Sequence, residues 1–347
     1  MILAAVGIGG GGWFLDHYSL DDLKSFKLRP RRASDELSSV EPGERRERRA
    51  NPIRIGAMQI RSFHRDTLEN PHALGLLSQA ARRFDLLVIT DIDPHGVDAV
   101  ESLVDAISDE SRPFDSLVGP ATGRQGERRA AFVFDQKRLE VDRSASYLVA
   151  DPDRLFEHPP LVGWFRARGA SAAEAFTFSL MAVDCRASEL DAIGAAYRAV
   201  RDDGRGEDDV IMAGVFGAGV GELGPMLAST RLSPAIDGTP TSVRGDRQGA
   251  NLLYSHSANE FTGRAGVMDL VRQFNLTVDQ VLAITDEMPV WAEFAVLERD
   301  SEGLAAFRAG RTGADAALET AQRPSATPAD AAKANAGGAP DERRLRR

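Results

Sequence analysis

Oxygen-bearing side chains at alternate positions are the first place in this chain where chemistry could sit. Asp91-Ile-Asp-Pro-His95 leaves an apolar run with three potential ligands, which an extended chain would turn to one face. With the neighbouring carboxylates Asp286 and Glu287, and with Glu127, they could form a hard-oxygen site for Mg²⁺, Mn²⁺ or Ca²⁺. The plainer reading is a solvated strand-to-loop edge, because sequence neighbours alone seldom fix a metal. Arg124, Arg128 and Arg129 could grip a phosphate or carboxylate through planar guanidinium forks, or line an exposed charged hairpin.

Other signals are weaker. The six histidines, His17, His64, His72, His95, His158 and His256, make no H-x-x-H or H-E-x-x-H pair. Cys185 is the single cysteine, so no internal disulfide can form, and it is expected to be a packed thiol. Gly219-Val-Gly-Glu-Leu-Gly224 matches G-x-G-x-x-G, but it comes late, runs into Pro225 and lacks the acidic strand end of a dinucleotide site. It is expected to be a loop.

The elements that must hold these residues alternate between strands and helices. Ile53–Ile60 and Leu86–Ile92 are continuous apolar runs, the signature of strands covered on both faces. His72–Phe84 and Val97–Ile107 carry apolar residues at helical spacing, and Ala187–Val200 does so before an Asp-Asp-Gly stop. Ala130–Phe134, Leu161–Arg166, Ala175–Val183, Val210–Phe216, Asn251–Tyr254 and Val290–Val296 complete the expected strands. The pattern supports an α/β sandwich: two packed sheets with outer helices.

Several short words, in order over about Ile53 to Val296, resemble the endonuclease/exonuclease/phosphatase superfamily. Asp209-Val-Ile-Met-Ala-Gly-Val-Phe-Gly-Ala218 is similar to "D-V-x-x-x-G-D-F-N-A", whose Asp and Asn order the attacking water; here those places read Val215 and Gly217. Ile55-Gly-Ala-Met-Gln-Ile60 puts Gln59 where the family has a metal- and phosphate-holding Asn. Phe84-Asp-Leu-Leu-Val-Ile-Thr-Asp-Ile92 puts Asp91 where it has its main metal ligand, Glu, with about 1.5 Å less reach. Gly123-Arg-Gln-Gly-Glu-Arg-Arg-Ala-Ala-Phe-Val-Phe134 places Arg128 on a family Glu, and Glu127 one position away would face the other side of a strand. Phe176-Thr-Phe-Ser-Leu-Met181 resembles a strand ending in "P-L-H", with Met181 on the His. Before Asn251-Leu-Leu-Tyr, the family's Tyr and Asp become Gly249 and Ala250. Glu260-Phe-Thr-Gly-Arg-Ala-Gly-Val267 is a framework word of bacterial members. Thr285-Asp-Glu-Met-Pro-Val-Trp-Ala-Glu-Phe294 keeps Asp286 but replaces its partner His by Glu287.

The resemblance implies a deoxyribonuclease I-like four-layer sandwich of two packed mixed β-sheets flanked by helices. It also implies a catalytically degenerate member. Phosphodiester hydrolysis needs charge neutralisation, an oriented deprotonated water and donors to the developing charge. Losing one such group typically costs about 10²–10³-fold, and here five or more are replaced. The expectation is a pseudo-enzyme with a binding or scaffolding role and no cofactor. The alternative is a divalent-metal phosphodiesterase or nuclease using Mg²⁺ or Mn²⁺ in a site rewired around Asp91, Asp286 and Glu287, with Arg124 and Arg128 on phosphate.

Composition bounds the rest. The chain has 347 residues, 43% of them hydrophobic, enough for one large α/β core over 51–300. A net charge of −10 disfavours a general nucleic-acid surface, leaving a protein or a phosphate-bearing ligand as the expected partner. Residues 1–15 are uncharged, largely apolar and glycine-laden, short for a membrane span and without the basic start of a signal peptide. They read either as a membrane or export segment with its upstream part missing, or as an apolar tail on a cytoplasmic protein. Residues 16–50 read as a charged linker and 301–347 as a disordered Ala/Pro/Arg-rich tail. The basic clusters could touch anionic lipid; a solvated linker is the plainer reading.

Overall fold

In the computed structural model, residues 51–298 are described, apart from 70, 124–125, 206 and 257–259. The expected terminal segments 1–15, 16–50 and 301–347 lie outside the described residues. The first sheet takes β1 (Ile53–Phe63), β2 (Leu86–Ile92), β3 (Phe114–Val118), β4 (Arg129–Asp135), β11 (Phe261–Val267) and β12 (Val290–Phe294) in the order β11-β12-β1-β2-β4-β3. The second takes β5 (Leu139–Leu148), β6 (Leu161–Ala167), β7 (Thr177–Asp184), β8 (Val210–Val215), β9 (Leu232–Pro234) and β10 (Ala250–Ser255) in the order β5-β6-β7-β8-β10-β9. β1 with β2 and β7 with β8 run parallel at the centres of the sheets, while their other neighbours pair antiparallel.

Period-two patterning builds the layers. On β2, Leu86 and Val88 face the inter-sheet core with Phe132, Phe165, Phe178 and Phe294, whereas Leu87 and Ile89 face the opposite side. That outer side is covered by α2 (Pro71–Ala81) and α3 (Val97–Ile107), whose Leu77, Ala80, Val100, Leu103 and Ile107 pack on it at helical spacing. Met181, Val183, Val210 and Met212 form the outer face of the second sheet under α4 (Leu190–Arg201) and α5 (Val220–Thr230), which contribute Ile193, Tyr197, Val200, Leu223 and Met226. Short helices α1 (Arg65–Glu69), α6 (Leu270–Phe274) and α7 (Val278–Leu282) complete the described set. The result is the expected α/β four-layer sandwich: helices, mixed sheet, mixed sheet, helices.

The differences from the sequence reading have physical causes. The segment from Gly219, read as a loop, enters α5: Glu222 accepts the Gly219 N–H and caps the helix, which tolerates Pro225. β5 and β11 are edge strands whose polar runs hide any apolar alternation. α4 starts at Leu190, after a single 3₁₀ turn over Ala187–Glu189.

Candidate functional site

The two central parallel pairs end side by side, and their C-terminal ends gather the polar residues. β1 and β2 pair Gln59 with Thr90 and then slip register before Phe63 and Ile92. Within that irregularity Ser62 and Asp91 both adopt left-handed φ, at 44° and 62°. Such backbone is tolerated by Asp and clusters where side chains are aimed for function. On the other sheet, β7 and β8 end together, with Asp184 opposite Val215.

A small cavity of about 20 Å³ lies between these ends, lined by Thr90, Asp91, Thr122, Arg128, Arg129, His158 and Asp184 together with apolar groups. That is room for about one water. Thr90 Oγ1 and His158 Nδ1 are enclosed there without a protein hydrogen-bond partner, which a water would satisfy. Beside it, sharing Thr122, Leu148 and Pro159, a broad cleft of about 1070 Å³ runs past Arg154, Leu155, Phe156, Glu157 and Arg186.

Burial sets the electrostatics. Asp184 is pushed up to about 7, first by desolvation and then by the charge of Asp91. Asp91 is also raised by burial, although the Arg128 guanidinium, the Ser62 backbone and His158 pull it back down. Burial drives His158 downward, so its neutral form is favoured. The cavity therefore holds two carboxyl groups that resist ionising together.

The expected metal trio does not converge. Asp91 forms an ion pair with Arg128, Asp286 with Arg61, and Glu287 with Arg247. Among the described residues, the acidic groups whose oxygens lie within 4.8 Å of one another do not include these three. Each carboxylate is paired with a different arginine, so the three do not form one shared divalent-ion site. Nor do Asp91, Asp93 and His95 share a face: the left-handed Asp91 breaks the extended run, and Asp93 Oδ1 accepts the His95 N–H at 2.8 Å in a local turn.

The remaining expected residues sort as follows. Gln59 is half-buried within β1, where it pairs with Thr90 just before the register slips. Arg128 sits on the hairpin bridge with Thr122, its guanidinium on Asp91 and on the Glu127 carbonyl. Arg129 is spent on the carbonyls of Pro94 and Gly119, at 2.7 and 2.8 Å. Arg124 lies outside the described residues. Met181 is away from the cavity: it pairs with Met212 in mid-strand and is fully buried under α4. Asp184, three residues further on, is the group that ends β7 beside Val215, and its signal was a lone acid closing an apolar strand. Gly217 adopts φ 60°, a left-handed turn that an Asn tolerates and a Gly makes without strain. Ala250 is buried opposite Val215.

Glu287 is enclosed, raised by burial, and held by Thr241 Oγ1 at 2.7 Å and by Arg247. A Cβ on Gly249 would come within 2.6 Å of its Oε1. Glycine at 249 and glutamate at 287 are thus one fitted arrangement. Cys185 is buried and its thiol is pushed far up by desolvation, an inert packed group.

Two mixed sheets packed face to face, helix layers outside, and polar residues at the ends of the central parallel strands define a deoxyribonuclease I-like sandwich. Curated relatives carry the same relationship. The chain is 23% identical to rat deoxyribonuclease gamma over 261 residues, covering 69% of this chain and 83% of that protein. It is 26% identical to human deoxyribonuclease-1-like 2 over 275 residues, covering 69% and 90%. A solved endonuclease/exonuclease/phosphatase family protein from Bacteroides thetaiotaomicron superposes with TM-score 0.49 at 11% identity, over 71% of this chain and 98% of that one. No family model matches the chain. The chain thus has a deoxyribonuclease I-like fold and is similar in sequence to deoxyribonucleases.

Proposed function

We propose that this domain is a non-hydrolytic member of its superfamily, used as a binding or scaffolding module. The observation that carries the reading is the Arg128 guanidinium seated on Asp91. A fixed cation at that carboxylate repels a divalent ion and supplies the charge balance the ion would have given. Around it, Val215, Gly217 and Ala250 offer no group to orient or deprotonate a water, and Glu287 is committed to Thr241 and Arg247. The cavity takes about one water, not a phosphodiester. A protein or phosphate-bearing ligand would be met at the broad cleft, where Arg154 and Arg186 alternate with Asp151, Glu157 and Glu189.

The test is hydrolysis of bis(p-nitrophenyl) phosphate and of plasmid DNA with Mg²⁺, Mn²⁺ or Ca²⁺, beside the Asp91→Ala/Asp286→Ala double variant. The expected result is no turnover by the folded wild type above the variant. Metal-dependent turnover that the double variant loses would replace this reading with a phosphodiesterase rewired around Asp91, Asp286 and Glu287.

A further inference from the structure

At the other end of the sandwich, a second group of carboxylates has no role in anything above. Asp209 immediately precedes β8, and the six residues from Val210 to Val215 separate it from the cavity by about 20 Å of strand. Glu260 immediately precedes β11 and Glu298 follows β12, so the first sheet contributes two acids and the second contributes Asp209. One carboxylate oxygen from each lies within 4.8 Å of the others. Asp209 also joins Glu207 and Asp208 in a second such group.

A cluster of acids on an open surface would be unremarkable, since water separates and solvates them. These are enclosed. Asp209 is 6% exposed, Glu207 3% and Glu260 0%. Asp209 Oδ2 is wholly shielded from solvent and has no hydrogen-bond partner, and a carboxylate oxygen of the same residue lies within 4.8 Å of one from each of the other two acids. A buried carboxylate oxygen left without a donor is costly, and a native fold normally satisfies it. The framework around it is rigid: Ser179 donates its N–H to the Asp209 carbonyl at 2.8 Å, Ala295 to the Glu260 carbonyl at 2.7 Å, and Thr177 to Glu298 Oε2 at 3.2 Å. The spacing also suits an ion. Ca²⁺ binds oxygens at about 2.3–2.6 Å, so ligands across it stand about 4.6–5.2 Å apart and adjacent ones closer.

We propose that Asp209, Glu260 and Glu298 form a Ca²⁺-type divalent-cation site that ties the two sheets together at the end remote from Asp91. The ion would supply the partner that Asp209 Oδ2 lacks. Its role is structural, because the site lies in the seam between sheets and away from the cleft.

Trp164 gives the site an optical reporter, since its Nε1 donates to Glu207 Oε2 at 3.0 Å. The full chain, freed of metal with EDTA, would be titrated with Tb³⁺ while tryptophan is excited, then with Ca²⁺ as competitor. Thermal melts in Ca²⁺ and in EDTA would run alongside. The expected results are saturable sensitised Tb³⁺ emission, its displacement by Ca²⁺, and a melting temperature several degrees higher in Ca²⁺. Asp209→Asn, which keeps the shape and removes the charge, should weaken Tb³⁺ binding at least tenfold and abolish the Ca²⁺ shift. Asp91→Asn should leave both intact. Should Asp209→Asn fail to fold, Glu260→Gln is read in the same way. Absence of saturable emission and of a Ca²⁺ shift in the wild type overturns the proposal. So does a signal that survives Asp209→Asn and disappears in Asp91→Asn, which would move the ion to the other end. Neither result depends on whether the protein hydrolyses phosphodiesters.

Discussion

Asp184 and Asp91 line the same small cavity, and that pairing has a measurable pH signature. Asp184 titrates near 3.8 in an unfolded chain and about 7 in the folded one, so the native state holds the extra proton between those values. Stability from this group is full below pH 3.8 and is lost as pH rises toward 7, by up to about 1.4 kcal/mol per pH unit. Asp184→Asn should therefore be more stable than wild type at pH 8 and no more stable below pH 4, read from urea unfolding at both pH values. Equal stability differences at the two pH values would show that Asp184 is not buried as described. A second residue-scale expectation concerns Gly249 and Glu287. Gly249→Ala should cost about 1–3 kcal/mol through overpacking against Glu287, and a double-mutant cycle with Glu287→Ala should return a coupling of about 1 kcal/mol or more. At this scale Asp91 was legible from its strand end and Val215 from its place in a framework word. Asp184 was not, because the match to a strand ending in P-L-H stops at Met181, three residues short of it. The arginine partners were invisible too: Arg61 with Asp286 and Arg247 with Glu287 are separated by long stretches of chain.

The elements were legible where burial is symmetrical. β2 and β8, covered on both faces, read as unbroken apolar runs, and α3 and α4 showed helical spacing because one face alone is buried. Edges were not: β5 carries Glu140, Asp142, Arg143 and Ser144 and is absent from the expected strands, and glycines with Pro225 disguised α5. One element contact is unusually tight. Gly214 adopts φ 146°, and a Cβ there would lie 1.9 Å from the Val183 carbonyl on the adjacent parallel strand. Gly214→Ala should open the β7–β8 pair and cost about 3 kcal/mol or more, visible as a lower denaturant midpoint and as faster amide exchange confined to β7, β8 and β10. A midpoint within error of wild type would rule out this close approach. Replacing Arg128 acts on an element as well, since it fastens the hairpin before β4 to the end of β2. Arg128→Ala leaves Asp91 without its cation in a buried place, so it should destabilise the domain more at pH 8 than at pH 4.

For the whole molecule, β1 and β12 are neighbours, and Ile53, the first residue of β1, pairs with Phe294, the last of β12. The chain thus enters and leaves the sandwich at one point. A pull applied through segments attached before Ile53 and after Phe294 would not shear this pair along its length. It would peel the two strands apart one hydrogen bond at a time, a geometry with low mechanical resistance. Glu298, four residues past the end of β12, would be drawn away from Asp209 of the other sheet early, so an ion held by that carboxylate group would act as a clasp. As a load-bearing tether the bare domain would be weak, and in single-molecule stretching its yield force should rise when the clasp is filled.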